Sequence, residues 1–341
     1  MSQKNLNVAI RIPKILQKQL NNKKIGKIYK QFEKNLNLNQ NFAVAVSGGP
    51  DSLALAVLAK IYAVKKKLVS KFFIVDHKIR KESSQEAKLI SRILSSVGIN
   101  SQILIWKGKK PTKNLQSLAR KKRYELLVAN CNKFKIKNIL LGHHEGDVIE
   151  NFFIRILRGS GLKGLISFDK EARINKINLL RPLLDQKKDD LIFIAKDIFN
   201  FYVKDPSNEN EFFQRVKIRK LIDEMQKNGL DKKKFLNTIK NLKHSDKVIR
   251  FYTNKNLREN TYFSPKENDY TINMDFFQQP HEIVFRSLTF IINVIGGRYY
   301  SPRGKKIDMI INKINNKELS KVTLGGCIIE MQHETVIISK E

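Results

Sequence analysis

The sequence predicts an α/β protein: a doubly wound parallel sheet, followed by a helical region and a small C-terminal α+β region. Three observations lead there. Between about residues 40 and 200, short β-branched runs alternate with amphipathic stretches, as strands joined by crossover helices do. The first of these runs passes straight into a turn bearing two glycines and then into an apolar helix. After about residue 222 the texture changes to long Lys-rich helical patterns and then to alternating strands.

Residues 1–40 are basic, Asn-rich and weakly patterned, and predict one surface helix. Strands are expected at Phe42–Val46, Phe72–Val75, Gln102–Trp106, Asn138–Leu141 and Asn178–Leu184. Between them, helices are expected at Leu53–Val64, at Glu86–Val97 behind a Ser83/Glu86 capping box, and at Leu115–Asn130. Apolar strands spaced by helices form sheets covered on both faces, whose ligands bind beyond the carboxyl ends of the strands. The chemistry is therefore expected in the loops after residues 46, 75 and 141. Further on, Lys232–Asn256 and Glu282–Ile295 read as helices, and Lys321–Lys340 as a meander broken at Gly325–Gly326 and near His333. The expected division is a catalytic domain over 1–222, with its N-terminal extension, and a basic helical and β region over 223–341.

Composition narrows the function. The 341 residues include 65 Lys and Arg against 32 Asp and Glu, a net charge of +33, while 41% are hydrophobic. The chain can bury a real core, and its charge suits a polyanion, with nucleic acid the first suspect. Two cysteines, Cys131 and Cys327, are too few for a disulfide framework or a Cys-rich metal site. The greasiest stretch, Ile283–Ile295, is interrupted by Arg286 and Thr289, and the N-terminus lacks the apolar core of a secretory signal. A soluble cytoplasmic protein without a membrane partner is the expectation.

The segment Ser47-Gly48-Gly49-Pro50-Asp51-Ser52 joins the first strand to its helix. Glycines let the backbone approach an anion, hydroxyls add donors, and the helix N-terminus contributes free N–H groups. This reads as a phosphate cradle, without the Lys of a Walker loop. Asp51 would repel a bound polyphosphate unless a divalent cation lay between them, so it is assigned to Mg²⁺. The other reading is a glycine turn in which Asp51 and Ser52 cap the helix.

The second informative segment runs from Leu140 to Gly161, again strand into helix. At 100° per residue, Ile149, Phe152, Phe153 and Ile156 share one face, and Asp147, Glu150 and Asn151 gather on the other. The acidic side is expected to face solvent or a cleft. The pair His143-His144 with two carboxylates suits metal binding or the positioning of an amine nucleophile, although acids in a first helical turn also serve simply as dipole complements. Val75–Arg80 closes the second strand. Arg120 and Arg123 lie on a helix, as phosphate clamps or as part of a solvated face.

With these segments assembled, the chain resembles the N-type ATP pyrophosphatases, and among them it is similar to the tRNA(Ile)-lysidine synthetases. The resemblance rests on Ser47–Ser52, the VDHKIR stretch with Ser83 and Glu86 after it, Ala119–Tyr124, the His143 to Glu150 helix and Arg158–Leu165. Arg181-Pro182-Leu183-Leu184 and Asp205-Pro206-Ser207-Asn208, followed by Arg215 and Arg219, complete it. These motifs cover about 40–222; the tail is only loosely similar. The loop alone is shared with other ATP-using synthetases and with tRNA thiolases.

The resemblance implies a ligase that uses ATP and Mg²⁺ to join free L-lysine to C2 of the wobble cytidine of a CAU-anticodon tRNA(Ile), through an adenylated base. It implies that Ser47, Gly48, Gly49, Pro50 and Ser52 hold the pyrophosphate end of ATP and Asp51 its metal. Backbone near Val75 and His77 would meet adenine, and Arg123 the α-phosphate. His143 and Asp147 would stand at the reacting centre, Glu150 near the lysine ammonium, and Arg215 and Arg219 with the substrates. The family usually carries two adjacent acids in this helix; here the first is Gly146. A tRNA thiolase and a non-catalytic nucleotide-dependent RNA-binding protein are the alternatives, the thiolase weakened by the absence of any C-x-x-C pair. The basic rear third, including Lys232–Lys234, Lys240, Lys243, Arg298, Arg303, Lys305 and Lys306, is expected to grip the tRNA body.

Overall fold

A computed structural model describes residues 13–80, 82–108, 115–203, 214–298 and 301–341. The chain divides into two compact units, Met1–Phe235 and Leu236–Glu341.

The first unit is built on a six-stranded sheet. Its strands are β1 (Phe42–Val46), β2 (Ser70–Asp76), β3 (Ser101–Ile105), β4 (Asn138–Leu140), β5 (Glu171–Ile174) and β6 (Ile177–Leu180), in the spatial order β3-β2-β1-β4-β6-β5. All pairs are parallel except the edge hairpin β5–β6. The single strand expected at Asn178–Leu184 is thus an antiparallel pair whose second member ends before Arg181. In β1, Phe42, Val44 and Val46 enter one core and Ala43 the core on the opposite face, which gives a fully covered strand its continuous apolar run. The strand order reverses between β2 and β4 on either side of β1, so the loops leaving β1 and β4 diverge and open a crevice.

Helices cover both faces. On one lie α2 (Lys23–Leu36), α3 (Pro50–Lys65), α4 (Ser83–Ser96) and α8 (Lys188–Phe199); on the other, α5 (Leu115–Lys133) contributes Leu127 and Cys131. Because α3 packs between the sheet and α8, it is apolar nearly all round. Ahead of β1, among the described residues, there are two helices where one surface helix is expected: α1 (Lys14–Leu20) and α2. Ile25, Ile28, Tyr29, Phe32 and Leu36 of α2 recur at helical spacing and are buried in the main core, a stripe hidden in the sequence by the intervening lysines. The site helix α6 (Glu145–Ile156) follows β4. The short α7 (Leu162–Leu165) comes next, and α9 (Gln214–Lys227) packs on α6.

The helix α10 (Lys232–Asn260) runs from the first unit into the second. The second unit contains β7 (Thr261–Ser264), β8 (Asp269–Asn273), α11 (His281–Gly296), α12 (Gly304–Asn315), β9 (Lys321–Leu324), β10 (Cys327–Gln332) and β11 (Thr335–Lys340). Its antiparallel sheet has the order β7-β8-β11-β10-β9, and its core joins Ile272, Leu288, Ile292, Ile307, Ile311, Ile329 and Ile338. The meander of the last three strands matches expectation, and β8 extends it by pairing with β11. No helix among the described residues is long and apolar enough to cross a membrane.

Candidate active site

The loop after β1 is held by its own side chains. Ser52 Oγ accepts the N–H groups of Ser47 and Gly48, both at 3.1 Å, and donates to Gly49 O at 2.9 Å. Ser52 is therefore a strut of the loop. The donors left for an anion are the first-turn N–H groups of α3, which has no side-chain cap at Gly49. Gly48 sits at φ +86°, its carbonyl accepts from Val203 N, and a Cβ there would run into Ile90. Gly48→Ala is accordingly expected to displace the loop, destabilising the fold by about 1–3 kcal/mol and weakening nucleotide binding more than that, as thermal melts with and without ATP will show.

Asp51 follows in the first turn of α3. Its Oδ1 is buried and has no hydrogen-bond partner, and burial raises its pKa above the ordinary carboxylate value, a nearby Asp147 adding to the effect and His144 opposing it. After β2, the Asp76 carboxylate ties the next loop by accepting from Lys78 N, Ser83 Oγ and Ser84 Oγ at 2.9, 2.8 and 2.6 Å. The expected capping box at Ser83/Glu86 does not form: Ser83 is turned to Asp76, and Glu86 pairs with Arg80 at 2.9 Å. His77 lies edge-on to Trp106 with ring centroids 6.1 Å apart, and Arg123 Nε stands 3.5 Å from His77 Nε2.

The loop after β4 delivers the third group. His144 caps α6: its Nδ1 accepts Gly146 N–H at 3.0 Å, and its own N–H donates to Asp147 Oδ2 at 2.9 Å. Burial pushes Asp147 upward, but His144, His143 and the His144 N–H outweigh it and leave the carboxyl below its ordinary value. His143, chiefly through burial, falls to about 4 and is a neutral imidazole at pH 7. Its Nδ1 is buried without a partner, and its ring meets Phe168 edge-on, while Arg181 stacks on the Phe168 ring.

Of the two settings expected for the acidic face, solvent or a cleft, Asp147 is found in the cleft. Asp147 and Glu150 are 8% and 5% exposed, whereas Ile156, expected in the core, is 46% exposed. The cause is α9, which packs on α6 and brings Arg219 to Glu150, Nε to Oε1 at 2.6 Å and Nη2 to Oε2 at 3.3 Å. Both carboxylate oxygens of Glu150 are thereby engaged by Arg219 in the absence of substrate. Arg215 lies near enough to His143 and Asp147 to influence both. The DPSN segment, Asp205–Asn208, falls outside the described residues.

Ser47, Gly49, Asp51, Ser52, Val75, His77, Arg123, His143 and Asp147 line one cleft of about 550 Å³, within the range of cofactor sites. Gly48 and Pro50 belong to the same loop but not to that lining. Arg120 and Tyr124 also line the cleft. The sequence offers His144 as half of a His pair for a metal or an amine; its place as the N-cap of α6 is the part that the H-x-x-D spacing could have revealed. Among the described residues no three His, Cys, Asp or Glu side chains gather as a metal cage. Mg²⁺ typically binds through one or two carboxylates plus phosphate oxygens and water, and the unpartnered Asp51 Oδ1 beside a phosphate loop fits that habit.

A family model described as a PP-loop domain matches residues 18–225. The chain is 32% identical over 312 residues to the tRNA(Ile)-lysidine synthase of Wolbachia sp. subsp. Brugia malayi (strain TRS), covering 89% of this chain and 71% of that protein. It is also 32% identical over 314 residues to the tRNA(Ile)-lysidine synthase of Orientia tsutsugamushi (strain Boryong), covering 89% and 70%. Among solved structures it is similar in fold to the U34-tRNA thiolase NcsA from Methanococcus maripaludis with its 4Fe-4S cluster, with a TM-score of 0.54, 20% identity and coverage of 65% of this chain and 79% of that one. At that identity the likeness is one of fold. Cys131 is buried within α5 with its thiol pushed up to about 12 by burial, and Cys327 is buried in the other unit, so neither is placed as a reactive thiol.

Proposed function

Because the chain belongs to the tRNA(Ile)-lysidine synthase family of PP-loop proteins, and is thus an ATP-using ligase, we propose that it joins free L-lysine to C2 of the wobble cytidine, position 34, of a CAU-anticodon tRNA(Ile) in the cytoplasm. The observation that carries this reading is the meeting, in one cleft, of a phosphate loop, the unpartnered carboxylate oxygen of Asp51 and the ionised Asp147.

In the first step the cytosine O2 attacks the α-phosphorus of ATP and pyrophosphate leaves. The α3 N-terminus and the loop backbone hold the departing pyrophosphate, and Arg123 at the cleft wall neutralises charge on the α-phosphate. Asp51 would hold Mg²⁺, which supplies charge neutralisation on the phosphate oxygens. In the second step the lysine ε-amine attacks C2 and displaces AMP, and the proton the amine gives up passes to the departing AMP phosphate. Asp147, kept ionised, is the carboxylate available to receive the ammonium; Glu150 instead fixes α9 through Arg219. His143, neutral and with a free Nδ1, offers a hydrogen bond to the base.

Incubation with ATP, Mg²⁺, labelled lysine and CAU-anticodon tRNA(Ile) tests the reading. Lysine should enter the RNA with stoichiometric AMP. AMP formation without lysine in the RNA would remove the lysine assignment, and ATP binding without any AMP would leave only a nucleotide-dependent binding protein.

The tRNA body is assigned to the basic residues of the second unit. On α10, Lys240, His244, Lys247, Phe251, Lys255 and Arg258 recur at spacings of three and four and are all exposed, Phe251 at 61%. An aromatic ring within a basic stripe suits phosphate contact combined with base stacking. Binding to tRNA(Ile) should therefore weaken by about 10³-fold or more between about 50 and 200 mM salt if six or more phosphates are contacted. A flat response in a filter-binding titration would remove this surface from consideration.

A further inference from the structure

Gly146 stands where the resemblance leads an acid to be expected, and the structure shows what occupies the space. A Cβ at Gly146 would lie 2.7 Å from His144 Cε1 and 3.1 Å from its Nδ1, so a side chain there and the observed His144 rotamer exclude one another. The His144 ring is buried at the head of α6. Its Nδ1 accepts the Gly146 N–H, so Nε2 is the ring nitrogen that carries a proton. That nitrogen faces two carboxylates from two different helices, Asp51 Oδ2 at 3.9 Å and Asp147 Oδ2 at 3.7 Å. Neither distance is a formed hydrogen bond, but one donor faces two acceptors across the gap between α3 and α6.

We propose that His144 is a positioning residue: its Nε2–H stands between Asp51 and Asp147, sets their separation, and turns Asp51 so that Oδ1 is left to an incoming Mg²⁺–nucleotide. This rests on the reading of Asp51 and Asp147 as the working carboxylates. The missing acid at 146 is then no simple loss. It opens the room for an imidazole that spaces the two remaining acids from the helix cap, where a second carboxylate would repel them.

Two substitutions in the full chain separate this role from mere capping. His144→Asn keeps an acceptor where Nδ1 lies, and with it the cap, but has no donor at the Nε2 position. His144→Gln reaches the Nε2 position with a donor and gives up the cap. The expected result for His144→Asn is a melting temperature within about 2 °C of wild type, with Mg²⁺-dependent ATP affinity by calorimetry and kcat for lysine transfer each down about 10–100-fold, and KM for tRNA unchanged. His144→Gln should melt lower yet hold Mg²⁺–ATP within several-fold of wild type. Gly146→Ala, which pushes the ring from its seat without touching it, should reproduce the Mg²⁺–ATP loss. If His144→Asn binds Mg²⁺–ATP as wild type does, or Gly146→Ala has no effect on that binding, the ring is only a cap and the proposal is overturned. The calorimetric arm needs no RNA, so a failure of lysine transfer in the wild-type protein would sink the proposed reaction while leaving this assignment to be judged by binding.

Discussion

Asp51→Asn is expected to lower AMP formation by about 10³-fold or more while making the nucleotide-free protein more stable at neutral pH. Asn keeps the shape of the side chain and removes the charge. The kinetic loss follows from the place of the carboxylate: it is the acid in the first turn behind the phosphate loop, and its Oδ1 has no protein partner. The gain in stability follows from burial, which raises the Asp51 pKa. As pH climbs, the unfolded chain gives up this proton first, near pH 4, and the folded state second. Wild-type stability attributable to Asp51 is therefore highest below the unfolded value, declines as pH rises toward the folded value, and stays low above it. The variant never carries that penalty. Its melting temperature should exceed that of wild type at pH 7, and the gap should close below about pH 4. Mg²⁺–ATP should reverse the order, since a ligand at 100 times its Kd adds about 2.7 kcal/mol to the protein that binds it. A variant that still releases pyrophosphate in a Mg²⁺-dependent manner, or that melts below wild type at pH 7, would contradict this account.

The readability of the sequence follows which forces are local. Strand into glycine turn into helix is a local pattern, and Phe42–Val46 with Ser47–Ser52 lies where that pattern places it. The reversal of strand order beside β1 comes from right-handed crossovers acting on a parallel sheet, so the gathering of the loops after β1, β2 and β4 is also readable. What escaped depends on partners remote in sequence. Glu150 is placed at solvent or a cleft by its own helix, and its pairing with Arg219, 69 residues later, leaves no local trace. Ile156 looks like core by periodicity, yet it falls in the last turn of α6 and is 46% exposed. Ser83 has the spacing of a cap, but Asp76 competes for its hydroxyl at 2.8 Å and wins. The capping role of His144 is hidden for another reason: imidazole is an uncommon helix cap, and its place here depends on the empty position two residues on.

Asp246→Ala is the second large effect, and it lies in the other unit. Asp246 on α10 is 1% exposed and accepts from Arg286 Nη1 of α11 through Oδ1 and from Arg250 Nε through Oδ2, the latter at 2.6 Å. Arg286 is itself buried and donates through Nε to Glu282 at 2.7 Å. Burial alone would raise the Asp246 pKa, but hydrogen bonds from Arg286 and Arg250 overcome it and hold the carboxyl below its ordinary value. Its stabilising contribution is thus complete above the unfolded value near pH 4 and is lost as pH falls through the lower folded value. Truncation to Ala leaves the Arg286 charge buried without its main partner, a loss of about 3–5 kcal/mol. Replacing both members, Asp246→Leu with Arg286→Met, should recover most of it, because removing a buried pair outright is often nearly neutral. In calorimetry the single variant should melt the second unit early, with Mg²⁺–ATP still stabilising the transition of the first; tRNA binding should fall with the loss of the folded basic surface. Were the single and double variants equally unstable, the cost would belong to packing, and the ion pair would not be what holds α10 to α11.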